Sequence, residues 1–180
     1  MNAKSLLGLL AVVSLGVLFW WGIKTKDARE ELPSALAGKS APVFEMELLD
    51  SFKAEWGEKL NLADYLGKKP IILNFWASWC YPACYQEAPI LEAGWRRWRD
   101  KVMFIAVDTQ DEKDKGEEFV SRFGFTFPVV YDPRGSIGID YGMYGVPETF
   151  AITRKGRVVE RHAGSLDEAM LTKMVQEVLK

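Results

Sequence analysis

One stretch of the chain is apolar without interruption. Residues 5–23, "SLLGLLAVVSLGVLFWWGI", carry no charge. At the helical rise they span about 28 Å, close to the hydrocarbon thickness of a bilayer. Trp20 and Trp21 stand at the far end, where amphipathic rings favour the interface. The pattern predicts a short tail at 1–4 and a transmembrane anchor at 5–23. A cleaved signal peptide is the competing reading. Its candidate cleavage site, "ALA" at 35–37, lies past "KTKDAREEL", too far from the apolar run for the usual geometry. Lys4 flanks one side of the run and Lys24, Lys26 and Arg29 the other, so charge alone does not orient it. Residues 24–38 are charged, then small, with Pro33, and read as a linker to a domain at 39–180.

Inside that domain the periods change. "APVFEMELLD" alternates at its start and predicts a strand, and "LNLADYLGKKP" predicts a short helical turn. "IILNFWA" at 71–77 and "KVMFIAVDT" at 101–109 are continuous apolar runs, the mark of strands buried on both faces. Residues 83–99 have helical spacing, with Pro89 expected to kink them. "DEKDKGEEFVSRFG" predicts an amphipathic helix ending at Gly124. "FPVVYD" is a short strand, and "GSIGIDYGMYG" leads to Pro147 and a hairpin, "ETFAIT-RKGR-VVERHAG". "SLDEAMLTKMVQEVLK" reads as a helix opened by a capping box from Ser165 to Glu168. Strand, helix, strand, helix, hairpin and helix make an α/β fold on one mixed sheet.

Composition narrows the chemistry. The formal net charge is −2, and no basic patch dominates the sequence, which argues against nucleic acid as a partner. The two cysteines, Cys80 and Cys84, form one local pair, so the fold does not rest on disulfides. They fall where the first buried strand feeds its helix, at the carboxyl end of the sheet, where active sites gather.

A thiolate, not a thiol, attacks a disulfide, and the first turn of a helix stabilises a thiolate with its unpaired N–H groups and dipole. The sequence places Cys80 at that point and Pro82 in the first turn, with Cys84 able to resolve a mixed disulfide. On an ideal helix, Cα atoms three apart are about 5.0 Å from each other and those four apart about 6.2 Å. Disulfides accept roughly 4.4 to 6.8 Å. The three-residue spacer can therefore close, either nearer that limit or through a bulged turn. Two other readings compete: a pair of small buried hydrophobes, and a soft-metal site for Cu(I) using Cys80, Cys84 and the single histidine, His162.

"NFWASWC", "C-x-x-E-x-P" and "YGMYGVPETF" together resemble the membrane-anchored thioredoxin-like proteins of the TlpA, ResA and CcmG/DsbE group. "LPSALAGKSAPVF", "YGVPETF" and "RHAG" resemble the CcmG/DsbE branch most closely. The resemblance covers residues 32–180. It implies a thioredoxin-like fold held by a single-pass anchor in the inner membrane and facing the periplasm. It implies a thiol:disulfide oxidoreductase that reduces the cysteines of apocytochrome c, or of a haem-ligation partner. Electrons would come from a transmembrane thiol transporter of the DsbD/CcdA type. By that resemblance Cys80 is the nucleophile, Cys84 the resolving thiol and Glu87 an acid beside them, able to relay a proton. An ordinary first-turn glutamate is the competing reading of Glu87. Trp79, Val146, Pro147 and Glu148 would contact substrate, with Pro147 as a cis-proline that turns the Val146 backbone toward the site and Glu148 in the "PET" element; a solvated loop charge is the competing reading of Glu148.

Two departures matter. Asn74 stands where a thioredoxin has a buried Asp, which leaves the proton relay to Glu87. The extra residue lies among Tyr81, Pro82 and Ala83, so it alters the placement of Cys80 against the helix and not the register after Cys84. Direct thiol chemistry needs no cofactor, and the sequence has no phosphate loop or dinucleotide fingerprint. Two alternatives remain open: a Sco-like copper module, and a TlpA-like reductase for a copper-site protein of cytochrome oxidase.

Overall fold

The computed structural model describes residues 3–24 and 36–180, with side chains at 8 and 10–22 in the first of these segments. Two compact units emerge, Met1–Leu32 and Pro33–Lys180. In the first, helix α1 spans Ala3–Lys24 and takes in the whole uncharged run. Among the described residues no helix is long and apolar enough to cross a membrane. The expected anchor at 5–23 falls within α1, with the side chains of 5–7, 9 and 23 outside the described ones. Most of the expected linker, 25–35, lies outside the described residues.

The second unit is built on a five-stranded sheet ordered β5-β4-β3-β6-β7: β3 (Ile71–Trp76), β4 (Met103–Thr109), β5 (Val129–Asp132), β6 (Glu148–Ile152) and β7 (Val158–Ala163). Strands β3, β4 and β5 are parallel, and β6 and β7 join antiparallel. Every residue of β3 and β4 is buried, as their unbroken apolar runs require. A separate ribbon pairs β1 (Glu45–Glu47) with β2 (Lys59–Asn61).

The pleat sorts side chains onto two faces. Asn74 and Trp76 share a face with Thr149 and Asp108 through the strand register. Helix α3 (Ala83–Trp98) covers it, with Trp95 beside Phe104, and helix α4 (Lys113–Phe123) adds Phe119, stacked 4.2 Å from Trp76. On the other face Phe75 packs against Tyr141 and Phe150. The C-terminal helix, α6 (Glu168–Val178), closes against α3 at Gly94, where an added Cβ would stand 2.6 Å from Leu171.

Several expectations change in detail. A helix, α2 (Asp50–Trp56), follows β1; it buries only Phe52, so it leaves no apolar period to read. A further short helix, α5 (Ser136–Asp140), precedes the Pro147 loop. Helix α3 continues through Pro89, and α4 ends at Gly124 in the left-handed conformation, φ 64°. The expected capping box at Ser165 gives way to Asp167, whose carboxylate accepts the Met170 N–H at 2.7 Å. That bond needs the cap three residues before its donor, so α6 starts at Glu168. Residues 36–41, partly within the expected linker, already belong to the domain: Gly38 N–H donates to Val158 O, and Ala41 N–H to Gly156 O, both at 2.8 Å.

Asp108 is fully buried, and neither carboxyl oxygen has a hydrogen-bond partner. Gly116 of α4 lies directly over it, where any Cβ would collide with Oδ2. Burial, and then the nearby charges of Asp111 and Glu117, push Asp108 up to about 9. A carboxyl raised above its unfolded value of 3.8 supports the fold fully below that value and loses this support as pH rises toward 9. Asp108→Asn should therefore raise the thermal midpoint at pH 8 and give a gain that shrinks toward pH 4, read from melting curves across that range.

Candidate active site

The loop after β3 carries both cysteines to the carboxyl end of the sheet. Cys80 and Cys84 form a disulfide with their Cα atoms 5.4 Å apart. That is shorter than the roughly 6.2 Å of an ideal helix at this spacing, so the turn bulges and absorbs the extra residue. The helix begins only at Ala83. Cys80 therefore precedes the first turn instead of standing in it, and Pro82 occupies the cap position. The Cys80 carbonyl accepts the Cys84 N–H at 3.0 Å, and Pro82 O accepts that of Gln86 at 3.0 Å, so the bulge feeds directly into the helical ladder. Tyr81–Pro82 and Val146–Pro147 are both cis.

Cys84 is 1% exposed and Cys80 8%. Around them aromatic side chains stand out into solvent: Trp79 at 58%, Tyr81 at 79% and Tyr144 at 71%. The loop is held from the neighbouring strand. Asp111, just past β4, accepts the Ser78 N–H and, at 2.9 Å, the Ser78 hydroxyl. The Trp79 indole donates to Gln110 O at 3.0 Å, with Gln110 in the left-handed region at φ 53°. Sequence reasoning missed this clamp. The signal was available: a polar "TQDE" closing a parallel strand must sit at the same sheet end as the loop of its neighbour.

One turn after Cys84 on α3, Glu87 is 1% exposed. Its Oε1 accepts the Asn74 side-chain amide at 2.9 Å, and its Oε2 accepts the Leu166 N–H at 3.0 Å. The same Asn74 nitrogen donates to Thr149 Oγ1 at 2.9 Å. Burial pushes Glu87 up to about 7, and the two donated hydrogen bonds pull against that rise. An ordinary surface glutamate would be solvated. Glu87 is instead locked between β3, α3 and the loop before α6. Asn74, read in the sequence as a missing acid, proves to be the donor that holds this one.

Pro147 and Val146 stand at the same sheet end as the cysteines, because Glu148 is the register partner of Phe75 near the close of β3. Pro147 is buried, Val146 half-buried, and the Pro147 carbonyl accepts the Gly164 N–H at 2.8 Å. Glu148, expected to contact substrate, instead lies beneath the surface, which sets aside the competing reading of a solvated loop charge as well. It is fully buried, paired with Arg161 and bonded to the Tyr144 N–H at 3.1 Å. It faces the side of the sheet opposite Glu87 and supports the surface from behind, through Tyr144. The Arg161 guanidinium lies 4.4 Å under the Tyr144 ring. The pair joins residues 13 apart across a hairpin, which no local sequence pattern marks.

His162 is the register partner of Thr149, and its Nε2 lies 3.3 Å from Ser165 O. Among the described residues no three His, Cys, Asp or Glu side chains converge to hold a metal ion. The fold does not gather Cys80, Cys84 and His162 into a ligand set.

Residues 37–161 match the AhpC/TSA family. The chain belongs to that family. It is 32% identical, over 99% of its length and 96% of the relative's, to the thiol:disulfide interchange protein DsbE of Haemophilus influenzae. It is 36% identical to the thiol:disulfide interchange protein HelX of Rhodobacter capsulatus, over 82% of this chain and 80% of that one. Among solved structures, it matches a secreted Mycobacterium tuberculosis disulfide oxidoreductase homologous to E. coli DsbE with a TM-score of 0.64 at 25% identity, covering 74% of this chain and 95% of that one. The sheet order and the disulfide at its carboxyl end agree with that kinship. This family member is a thiol:disulfide oxidoreductase with a thioredoxin-like fold.

Two outcomes follow from the buried carboxylates. Arg161→Met strands Glu148 as a buried charge and should cost about 3–5 kcal/mol, read as a lower urea midpoint, while the double variant with Glu148→Gln recovers most of it. Glu87 is raised above its unfolded value of 4.5, so the wild-type protein loses stability as pH rises from there toward 7. In oxidised Glu87→Gln the stability loss between pH 4.5 and 7 should be shallower, leaving the part due to Asp108, although the new amide opposes one of the two N–H donors and lowers stability at every pH.

Proposed function

We propose that this chain is a membrane-anchored reductant facing the periplasm, with the disulfide of apocytochrome c or of a haem-ligation partner as its substrate. The observation that carries this reading is the closed Cys80–Cys84 disulfide, followed one helical turn later by a buried carboxyl raised to about 7. A pair that closes across the wider spacer can cycle, and a carboxyl that titrates near 7 can both take and give a proton at physiological pH.

In the reduced protein the Cys80 thiolate attacks one sulfur of the client disulfide. A bond forms between Cys80 and that sulfur, and the second client sulfur leaves as a thiolate and takes a proton. Cys84 then loses its proton to Glu87 and attacks Cys80. The mixed disulfide breaks, the Cys80–Cys84 bond forms, and the remaining client sulfur leaves and is protonated. Two electrons have moved from the pair to the client. A membrane dithiol transporter of the DsbD/CcdA type returns them by the same exchange in reverse. The greater exposure of Cys80 supports its role as attacker, and the burial of Cys84 its role as resolver.

Trp79 and the Val146–Pro147 backbone flank the approach to Cys80 and bind an extended client segment. Glu148 acts one layer behind them by fixing the Tyr144 loop. The anchor is the run at 5–23 within α1, which ends in Trp20 and Trp21. The family resemblance supports the periplasmic side.

The test uses a disulfide-bonded peptide with a Cys-x-x-Cys-His sequence, the haem-attachment pattern. Reduced Cys84→Ser should accumulate a covalent peptide adduct visible by mass spectrometry, and Cys80→Ser should form none. Pro147→Ala should slow reduction of the peptide at least about tenfold while leaving a small aromatic disulfide reagent nearly unaffected, as expected if backbone pairing binds the client. Adduct formation without Cys80 would contradict the assignment. So would equal effects of Pro147→Ala on both substrates.

A further inference from the structure

The sequence spreads its cations, but the fold collects them. At the end of the sheet opposite the cysteines stand Lys68, Lys69, Lys101, Arg154, Lys155 and Arg157, with Lys180 beside them and only Asp100 and Glu177 as acids. The whole chain carries a net charge of −2, so this pole is positive on an otherwise acidic protein. The topology brings the six together. Lys68 and Lys69 precede β3, Lys101 precedes β4, and residues 154–157 follow β6, whose last residue, Ile152, is the register partner of Ile71 at the start of β3.

Elsewhere among the described residues, cations without an ion pair such as Arg97, Arg122 and Arg134 stand apart from such a cluster, and several others are neutralised. Lys53 pairs with Glu47, Asp50 and Glu58; Lys59 pairs with Glu45, and Lys113 with Asp50. Among the described residues, none of the six polar cations forms an ion pair. Three of them spend donors on backbone carbonyls instead: Lys69 on Arg99 O at 2.8 Å, Arg154 on Gly67 O at 2.6 Å, and Arg157 on Gly38 O at 3.0 Å. Those bonds order the turns and leave the charges uncompensated.

We infer that this basic pole is a docking surface for an anionic lipid headgroup layer. Three observations choose lipid over an acidic protein. The chain enters the domain at this pole: Gly38 and Ala41 are bonded to the turn at 156–158, and the apolar helix precedes them. Residues 24–35 reach at most about 40 Å, so an anchor at 5–23 keeps the pole at high effective concentration near the bilayer. Protein interfaces centre on aromatic and apolar side chains, yet the exposed aromatic residues of this domain, Trp79, Tyr81 and Tyr144, all stand at the other pole, and this one exposes a single large apolar side chain among its lining residues, Leu179. Lys and Arg on turns, with long flexible stems, suit a fluid anionic surface. Docking in this way holds the sheet upright. The six residues of β3 then lift the dithiol by about 20 Å and point it away from the lipid, toward a client.

This inference rests on the membrane anchor proposed above, and the test separates the two. The full chain is placed in phosphatidylcholine nanodiscs, with and without phosphatidylglycerol, each doped with a spin-labelled headgroup, and paramagnetic broadening of backbone amides is measured. With phosphatidylglycerol, residues 68–69 and 154–157 should broaden strongly while 142–146 do not. High salt should remove the effect, because the Debye length falls to about 3 Å at 1 M. Lys68→Glu/Lys101→Glu/Lys155→Glu should lower it at least about threefold. Equal broadening in both lipids, or broadening at 142–146 instead, would overturn the inference while leaving the anchor intact. If alkaline washing strips the chain from the nanodiscs, the anchor is wrong. Sedimentation with vesicles then decides: pelleting only with phosphatidylglycerol vesicles upholds the docking surface, and no pelleting with either lipid rejects it.

Discussion

A carboxyl group with almost no access to water organises the reactive end of this domain. Glu87 points into the interior from α3, one turn after Cys84, and burial alone would keep it protonated. Asn74 from the central strand and Leu166 from the loop before α6 each donate a hydrogen bond that favours the charged form. The balance of these opposing effects holds the group near neutrality. It also ties three separate parts of the chain to one point, 79 residues apart at the widest. A thioredoxin-type acid on the strand would have competed with Glu87 for that space; an amide on the strand cooperates with it.

The three-residue spacer fits the same logic. The helix after Cys84 keeps its register, so Glu87 keeps its place. The extra residue is taken up in the turn before Ala83, where Tyr81 swings out into solvent at 79% exposure. The insertion therefore changes the surface a client meets beside Cys80 more than the chemistry beneath it. On the opposite face of the sheet, the buried Glu148–Arg161 pair holds the Tyr144 loop, so the aromatic rim is supported from two independent layers.

Much of this was legible in the sequence where a single physical pattern dominates. The runs at 71–77 and 101–109 declared fully buried strands, Gly124 declared a helix end, and the hairpin and the cysteine position fixed the sheet end that reacts. The fold hid what depends on distant partners. Asn74 looked like an absence because its role exists only once Glu87 arrives from 13 residues away. Glu148 read as a substrate contact because its buried partner, Arg161, lies on the adjacent strand. Helix α2 offers one buried residue and no period. The basic pole was invisible because it gathers turns from three separate places, and the net charge averages it away.

The central claim is that a Cys-x-x-x-Cys pair on this fold still works as a two-electron dithiol. The thiol–disulfide equilibrium of the protein against defined thiol buffers, with and without Cu(I), tests it most directly. The account predicts one two-electron transition at a reducing potential, unmoved by metal, with a pH dependence that changes slope near 7 and loses that break in Glu87→Gln. If no intramolecular disulfide forms, or if Cu(I) captures the pair and requires His162, the longer turn serves metal binding and the reductase account fails.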